Sequence, residues 1–514
     1  MAPSHLLPAV LLACLGCSLQ PSVQSAAAAD VPPIGLNLSG VRDYSSEYPF
    51  IDVFHSARAW VPQQAGQPWG KGPKLELRED GYPARLAPGQ FATTIVLNAR
   101  GYPTGTYTLL YDGRGRIRLE RRFEIVREEA GRIEFRVDER PNCMIHLEET
   151  DPADPLRNIR LYMPGQEAAG EAGRLFAQPF LDRCRKFACL RFMDWMETNN
   201  SEIEGWGERP EVDDFSWALH GVPAEVMIDL ANAVQCDAWF CMPHRADEEY
   251  VRQFAELVRD RLDPELTAYV EHSNELWNGQ FAQAREAGDA GTRARLSSNR
   301  YQAQLLHHGQ RTVSIGRTWD EVLGDERVRV VLGAQSVNPW TTEQGLSVDG
   351  ADEVIEAVAI APYFGNALGG PDAATASRRM SPAQIAEECR RLIREQQSVI
   401  ARQAELARSR GMTLIAYEGG QHLVGTRGME NDEQLTAAFH AANRSPEMGE
   451  LYVAAVESWA EAGGGLWVAF ASVSTPSKWG SWGLKEYDDQ PVAEAPKWRS
   501  IEALLERSAE EPRR

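Results

Sequence analysis

Positive charge is what this 514-residue chain has too little of: 53 Lys and Arg stand against 74 Asp and Glu, a formal net charge of -21. Nucleic acid needs a basic footprint for its phosphates and an anionic lipid surface needs the same, so neither is expected as a partner. The acidity itself reads as solubility. Metal-binding patterns are also scarce. Past residue 30 the six cysteines, Cys143, Cys184, Cys189, Cys236, Cys241 and Cys389, form no CxxC pair and no His-rich zinc spacing. They read as scattered buried thiols, although an exported chain permits one or two disulfides among them. His307-His308 falls in a helical region without a metal-ligating partner. No GxSxG elbow and no HExxH pair occur, which sets esterase and metallopeptidase chemistry aside. No metal and no organic cofactor is expected.

The leading apolar run, Leu6–Leu15, is too short to span a bilayer. Ser/Gln/Ala-rich sequence follows it and ends in Ala26–Ala29 before Asp30, so residues 1–30 read as an export signal, even though no Lys or Arg precedes the run. Leu11-Leu12-Ala13-Cys14 also resembles a bacterial lipoprotein box, which makes Cys14 a candidate lipid anchor. The expected location is outside the cytoplasm: periplasmic, on the cell surface or secreted.

Three textures follow. Within 31–69, Ile34–Ser39 reads as a buried strand ending near Asn37, and a loop containing Pro49–Trp60 comes after it. From 70 to 165 the chain runs in short alternating segments, KLELR, FATTIVLN, GTYTLLYD, IRLERRFEIV, RIEFRV, MIHLEE and IRLYM, divided by Asp80-Gly81, Pro88-Gly89 and Asp112-Gly113. That pattern predicts an antiparallel β-sandwich of roughly 95 residues.

From 166 to 508 helical and strand patterns alternate. Strands are expected at Ala188–Met193, Asp237–Met242, the start of Thr267–Asn278, Arg327–Gln335, Val354–Pro362, Met412–Glu418 and Leu466–Ala471. Helices are expected at Leu175–Phe187, Val222–Val234, Asp247–Leu262, across about Gln280–Leu323, and at Ser381–Arg410, Asp432–Ala462 and Trp498–Arg507. With Ile34–Ser39 this makes eight strands separated by helices. The class is α/β, and the expected fold is a TIM (β/α)8 barrel with the sandwich inserted between its first and second strands. Residues 509–514 read as a disordered tail.

Two of those strands end on acids. TAYVEHSNELWN carries an apolar run into His272-Ser273-Asn274-Glu275, and MTLIAYE ends on Glu418 before Gly419-Gly420. By this count Glu275 closes strand four and Glu418 strand seven, on opposite walls of a barrel whose strand ends form the catalytic face. Two carboxyls about 5–5.5 Å apart across an anomeric carbon break a glycosidic bond with retention. The 14 Trp supply either sugar platforms or core. Glu271 shares the parity of Glu275, and pairing with a buried Arg is the expected role for it. Trp206 and Trp217 would wall a glycan groove or fill a contact between domains.

Placed on these strands, Asn274-Glu275 and Glu418 resemble the pattern of the clan A glycoside hydrolases, retaining (β/α)8 enzymes. The resemblance covers the barrel, about four-fifths of the chain. It implies that Glu275 is the acid/base and Glu418 the nucleophile. It implies that Asn274 bonds the sugar 2-hydroxyl, and that Asn37, Arg191, His244, Tyr363 and Trp277 line the pocket. For Arg191 a barrel-interior salt bridge stays open beside the pocket role, and for His244 and His272 core hydrogen bonding does. The tryptophan near strand eight would be Trp467, Trp479 or Trp482. YVEHSNELWN and SKWGSWGL further resemble exported bacterial proteins often labelled cellulose-binding. The expected activity is retaining hydrolysis of a β-linked oligosaccharide or polysaccharide. The alternative is a non-catalytic carbohydrate-binding protein on the same barrel.

Overall fold

The computed structural model describes residues 31–138 and 142–510. The expected leader with Cys14, and residues 511–514 of the expected tail, lie outside the described residues. Eight parallel strands close into a barrel: β1 (Ile34–Asn37), β2 (Cys189–Arg191), β3 (Asp237–Met242), β4 (Ala268–His272), β5 (Val328–Gly333), β6 (Ala357–Ile360), β7 (Thr413–Gly419) and β8 (Trp467–Ala469). Closure comes from β1 pairing with both β2 and β8, Leu36 opposite Leu190 and Ile34 opposite Trp467. Helices follow the strands, so the fold is a (β/α)8 barrel.

The strands are short, near-continuous apolar runs because both of their faces are buried. β6 is four buried residues, AVAI, and β2 is three, CLR. Most of the hydrogen-bonded ladders are shorter than the apolar stretches in the sequence, β3 and β7 excepted. Flanking residues such as Phe192 and Met193 are buried too, under the loops that cover the rim.

Helix ends follow their capping chemistry. Asp247 accepts from the Tyr250 N–H to open Glu248–Arg261, and Ser381 forms a capping box with Gln384 to open Pro382–Ser409. The region 280–323 is two helices, Ala282–Arg293 and Arg300–Leu323, because Asn299 caps the second by accepting from Gln302. Asp432–Ala462 divides in the same way, with Pro446 starting the helix that runs to Glu461. The last helix, Pro496–Glu510, closes the described chain.

Between β1 and β2 in the chain stand two four-stranded antiparallel sheets. One has the order Val61–Gln64, Gln90–Val96, Cys143–Thr150, Gly115–Leu119, and the other Arg157–Tyr162, Gly105–Asp112, Arg132–Val137, Glu124–Glu129. The pattern IRLERRFEIV, a single run in sequence, is therefore two strands in different sheets, broken at 120–123. The KLELR run contributes only Glu76–Leu77, paired with Pro83–Arg85 in a separate hairpin. Ile117, Ile145 and Leu147 from one sheet and Leu109, Phe135 and Leu161 from the other are buried in one hydrophobic cluster. Glu124–Glu129 is an exposed, charged edge strand that discourages pairing with another chain.

A buried ion cluster ties the loop after β1 to the C-terminal region. Arg183 pairs with Glu47 at 2.8 Å and Asp488 at 2.9 Å, all three nearly inaccessible. Ser472 donates to the other Glu47 oxygen at 2.6 Å. Trp217 is buried, stacked on His55 at 3.6 Å and edge-on to Phe50, so it fills a packing contact and walls no groove. Trp206 lies against Tyr250 and Phe254 under Arg209. All six described cysteines are buried thiols.

Removing the cation strands two buried carboxylates. Arg183→Met is expected to cost about 3–5 kcal/mol of stability in urea denaturation. A loss below about 1 kcal/mol would mean that the cluster is solvated and pins nothing.

Candidate active site

The barrel's upper interior is organised around one guanidinium. Arg191, the last residue of β2, is fully buried. Its Nε and Nη2 donate to Glu271 Oε2 at 3.2 and 2.8 Å, and its Nη1 donates to Glu418 Oε1 at 3.0 Å. Nη1 also reaches Asn37 Oδ1 at 3.1 Å, and Nη2 reaches Asn274 Oδ1 at 2.9 Å. Trp239 and Tyr417 lie beside the guanidinium, 5.4 and 5.1 Å from its carbon to the ring centroids. Both roles expected of Arg191 are thus present: a core salt bridge and a direct hold on Glu418. Glu271 takes the core role, accepting also from Trp239 Nε1 at 3.0 Å.

Glu418 comes from β7, and its second oxygen accepts from the Tyr363 hydroxyl at 2.9 Å. Tyr363 stands just past β6, where the resemblance places it. Glu275 approaches from the β4 side. It accepts from Asn278 Nδ2 at 2.9 Å and from the Tyr417 hydroxyl at 3.2 Å. Strand alternation would turn Tyr417 away from the side Glu418 faces. The pairing of β7 with β8 shifts register between Ala416 and Gly419, and this irregularity lets both residues serve the site. Within it, Asn37 Nδ2 donates to the Tyr417 carbonyl at 2.9 Å. Ser273 and Glu275 adopt left-handed backbone, φ 61° and 46°. Such conformations in non-glycine residues persist where the surroundings over-determine them, as at ligand sites.

Burial raises the proton affinity of both carboxyls. For Glu418 the rise is opposed by the Arg191 cation and the Tyr363 hydrogen bond and reinforced by the charge of Glu275. For Glu275 it is opposed by Asn278, Tyr417 and Arg191. Glu418 has a cation in direct contact, whereas the direct donors on Glu275 are neutral. One cation opposes burial at both Glu418 and Glu275 and does not cancel it, so this pair holds a proton above the ordinary carboxylate range.

The other expected residues divide. Asn274 is buried, its Oδ1 on Arg191 and its Nδ2 donating to Asn199 Oδ1 at 3.1 Å. Trp277 is half-buried beside the Tyr417 hydroxyl. Trp482 packs against Tyr363, His422 and Phe470, with centroids 5.7, 5.1 and 5.8 Å apart. Trp479 supplies the carbonyl that accepts from Trp482 Nε1, lies under Lys478, and is itself 62% exposed. Trp467 is buried on β8. His244 is not brought to the glutamates. It bonds Glu286 at 3.2 Å and lines a separate cavity with His272 and Glu286. His272 meets His308 at 3.1 Å, in the core hydrogen bonding that was one of its two readings.

Sequence reasoning did not assign Tyr417, Asn278, Asn199, Asp194 or Trp239. Tyr417 directly precedes Glu418, and Asn278 follows Glu275 by three, so proximity was a signal for these two. For Asn199 and Asp194, in the long loop after β2, there was none.

Arg191→Met is expected to lose about 3–5 kcal/mol in urea denaturation, because it abandons Glu271 and Glu418 in the barrel. Adding Glu271→Met should restore part of that loss, since it removes one stranded charge. Additive losses in the double variant would show that the two do not interact.

No family model and no curated protein sequence matches the chain. Among solved structures it is similar to a 4-O-α-L-rhamnosyl-β-D-glucuronidase from Fusarium oxysporum 12S, with 11% identity and TM-score 0.39, covering 64% of this chain and 63% of that one. It is also similar to a glucosidase from Croceicoccus marinus, at 12% identity and TM-score 0.35, covering 64% and 63%. A broad-specificity endoglucanase from Clostridium acetobutylicum is matched at 10% identity and TM-score 0.36, covering 66% and 93%. The chain thus spans somewhat under two thirds of the first and second of these.

Proposed function

We propose that this chain is a retaining glycoside hydrolase that cleaves β-linked oligosaccharide or polysaccharide, with Glu418 as nucleophile and Glu275 as acid/base. One observation carries the reading. Both oxygens of Glu418 are held, one by Arg191 and one by Tyr363, while Glu275 stands within its electrostatic field from the β4 side. A cation and a hydroxyl fixing both oxygens suit a carboxylate that must be ionised and aimed.

In the first step Glu418 attacks the anomeric carbon while Glu275 gives its proton to the departing glycosidic oxygen. The product is a glycosyl ester on Glu418. Esterification removes the negative charge that raises Glu275, so Glu275 then becomes the base that takes a proton from water. That water attacks the anomeric carbon, and Glu418 leaves as carboxylate. Asn274, its amide oriented by Arg191 and Asn199, has a second Nδ2 hydrogen for the sugar 2-hydroxyl. We read the two antiparallel sheets as one inserted sandwich, and residues 1–30 as the segment that sends the protein out of the cytoplasm.

Glu418→Gln is expected to abolish turnover in a screen of polysaccharides and aryl glycosides. Glu275→Ala should retain activity only on aryl glycosides with good leaving groups, and added azide should partly restore it. NMR of the first-formed product should show the anomer of the substrate. Inverted product, or normal hydrolysis by Glu418→Gln, would remove the mechanism.

Tyr363→Phe tests protonation. The hydroxyl lowers the proton affinity of Glu418, so its loss raises that affinity. The acid limb of kcat/KM should therefore move to higher pH. The maximum should fall about ten- to a hundredfold, the ~1.5–3 kcal/mol of a hydrogen bond to a charged group. An unmoved acid limb would show that Glu418 does not control it.

A further inference from the structure

A cleft of about 320 Å³ opens where β8, β1 and β2 end, lined in part by Ser39, Arg42, Asp194, Asn199, Phe470 and Trp482. Trp482 joins it to the site, because the same ring packs against Tyr363. Arg42 is committed elsewhere: it pairs with Glu197 and donates to the carbonyls of Val41 and Ala218. Arg191 is turned into the barrel by its four partners, Glu271, Glu418, Asn37 and Asn274. Asp194 lies three residues past Arg191. Among the described residues no side chain or backbone N–H donates to its carboxylate, and burial pushes it up to about 6. Its charge also reaches Glu418, whose proton affinity it raises.

An acceptor left half-buried and without a donor at the edge of a sugar-sized cleft is a site for a donor from the ligand. We infer that Asp194 selects the sugar: its carboxylate accepts hydrogen bonds from the hydroxyls of an uncharged glycosyl unit in this cleft and turns away a unit carrying a carboxylate. The inference rests on the glycan-active reading above and deepens it by naming the substrate class. A hydroxyl bonded to an ionised carboxylate makes a charge-assisted hydrogen bond, stronger than a neutral one. Trp482 supplies an aromatic surface for the C–H face of the ring. A uronate would instead meet the Asp194 and Glu197 carboxylates of the cleft wall, where Arg42 is already paired with Glu197 and with the carbonyls of Val41 and Ala218.

The test uses the full chain, Asp194→Asn and Asp194→Ala. Their KM and kcat are measured on p-nitrophenyl β-D-glucoside, β-D-mannoside, β-D-galactoside and β-D-glucuronide. Binding of cellotetraose, mannotetraose and tetragalacturonate is measured by calorimetry in a Glu418→Gln background. The wild type should favour a neutral glycoside over the glucuronide by about a hundredfold or more in kcat/KM. Asp194→Asn should raise KM for that neutral glycoside about tenfold while kcat changes less, and should narrow the neutral-to-uronic ratio about tenfold. Asp194→Ala should do both, so a folding defect in one variant leaves the other to decide. Neutral oligosaccharide binding that weakens with Asp194→Asn, without hydrolysis by the wild type, would remove the hydrolase reading and keep Asp194 as the selecting group. Unchanged KM and ratio, a wild-type preference for the glucuronide, or no binding of either neutral tetrasaccharide would overturn the inference.

Discussion

One buried positive charge holds three acidic side chains in a common field. Arg191 fills the barrel beneath the candidate site, bonds Glu271 and Glu418 directly and lowers the proton affinity of Glu275. Sinking an arginine into a barrel is expensive, and the cost is offset only if nearly every N–H finds an acceptor. Glu271 and Glu418, with the amide oxygens of Asn37 and Asn274, provide those acceptors. The residues that stabilise the cation are therefore residues of the candidate site. Core and candidate site share the same atoms.

This sharing explains why the two glutamates differ, Glu418 buried and Glu275 half-buried. Glu418 is fixed through a cation and a phenol. Glu275 sits on left-handed backbone, with neutral donors from Asn278 and from Tyr417 across the barrel. A cation and a phenol oppose the effect of burial on Glu418, whereas on Glu275 neutral donors and the Arg191 charge oppose it.

Much of the barrel was legible in the sequence because parallel strands leave a plain trace: short apolar runs spaced by amphipathic helices. All eight appear where the runs stand, and DAWFCM matches its ladder end to end. Glu275, Glu418, Arg191, Asn274 and Tyr363 were legible because strand ends fix where side chains emerge. What escaped lies off that grid. Tyr417 serves the site through a register shift that no alternating pattern announces. His244 belongs by position to the mouth, yet Glu286, on the helix Ala282–Arg293 after β4, draws it aside. IRLERRFEIV reads as one strand, because a turn built from Glu120-Arg121-Arg122-Phe123 carries neither Gly nor Pro to mark it.

The placement of the two antiparallel sheets sets the order of assembly. β1 is made first, but its partners lie far along the chain: Asn37 and Arg191 are 154 positions apart, and Asn37 and Ala469 are 432 apart. As the polypeptide emerges from the ribosome, the opening strand has neither neighbour, whereas the hairpin-linked sheets behind it can pair with strands already made. Contacts of such sequence separation form late and slowly. The cylinder can shut only after its eighth strand has been synthesised. Until then the first strand can pair with β2 along one edge, while the edge that will meet β8 stays without its partner.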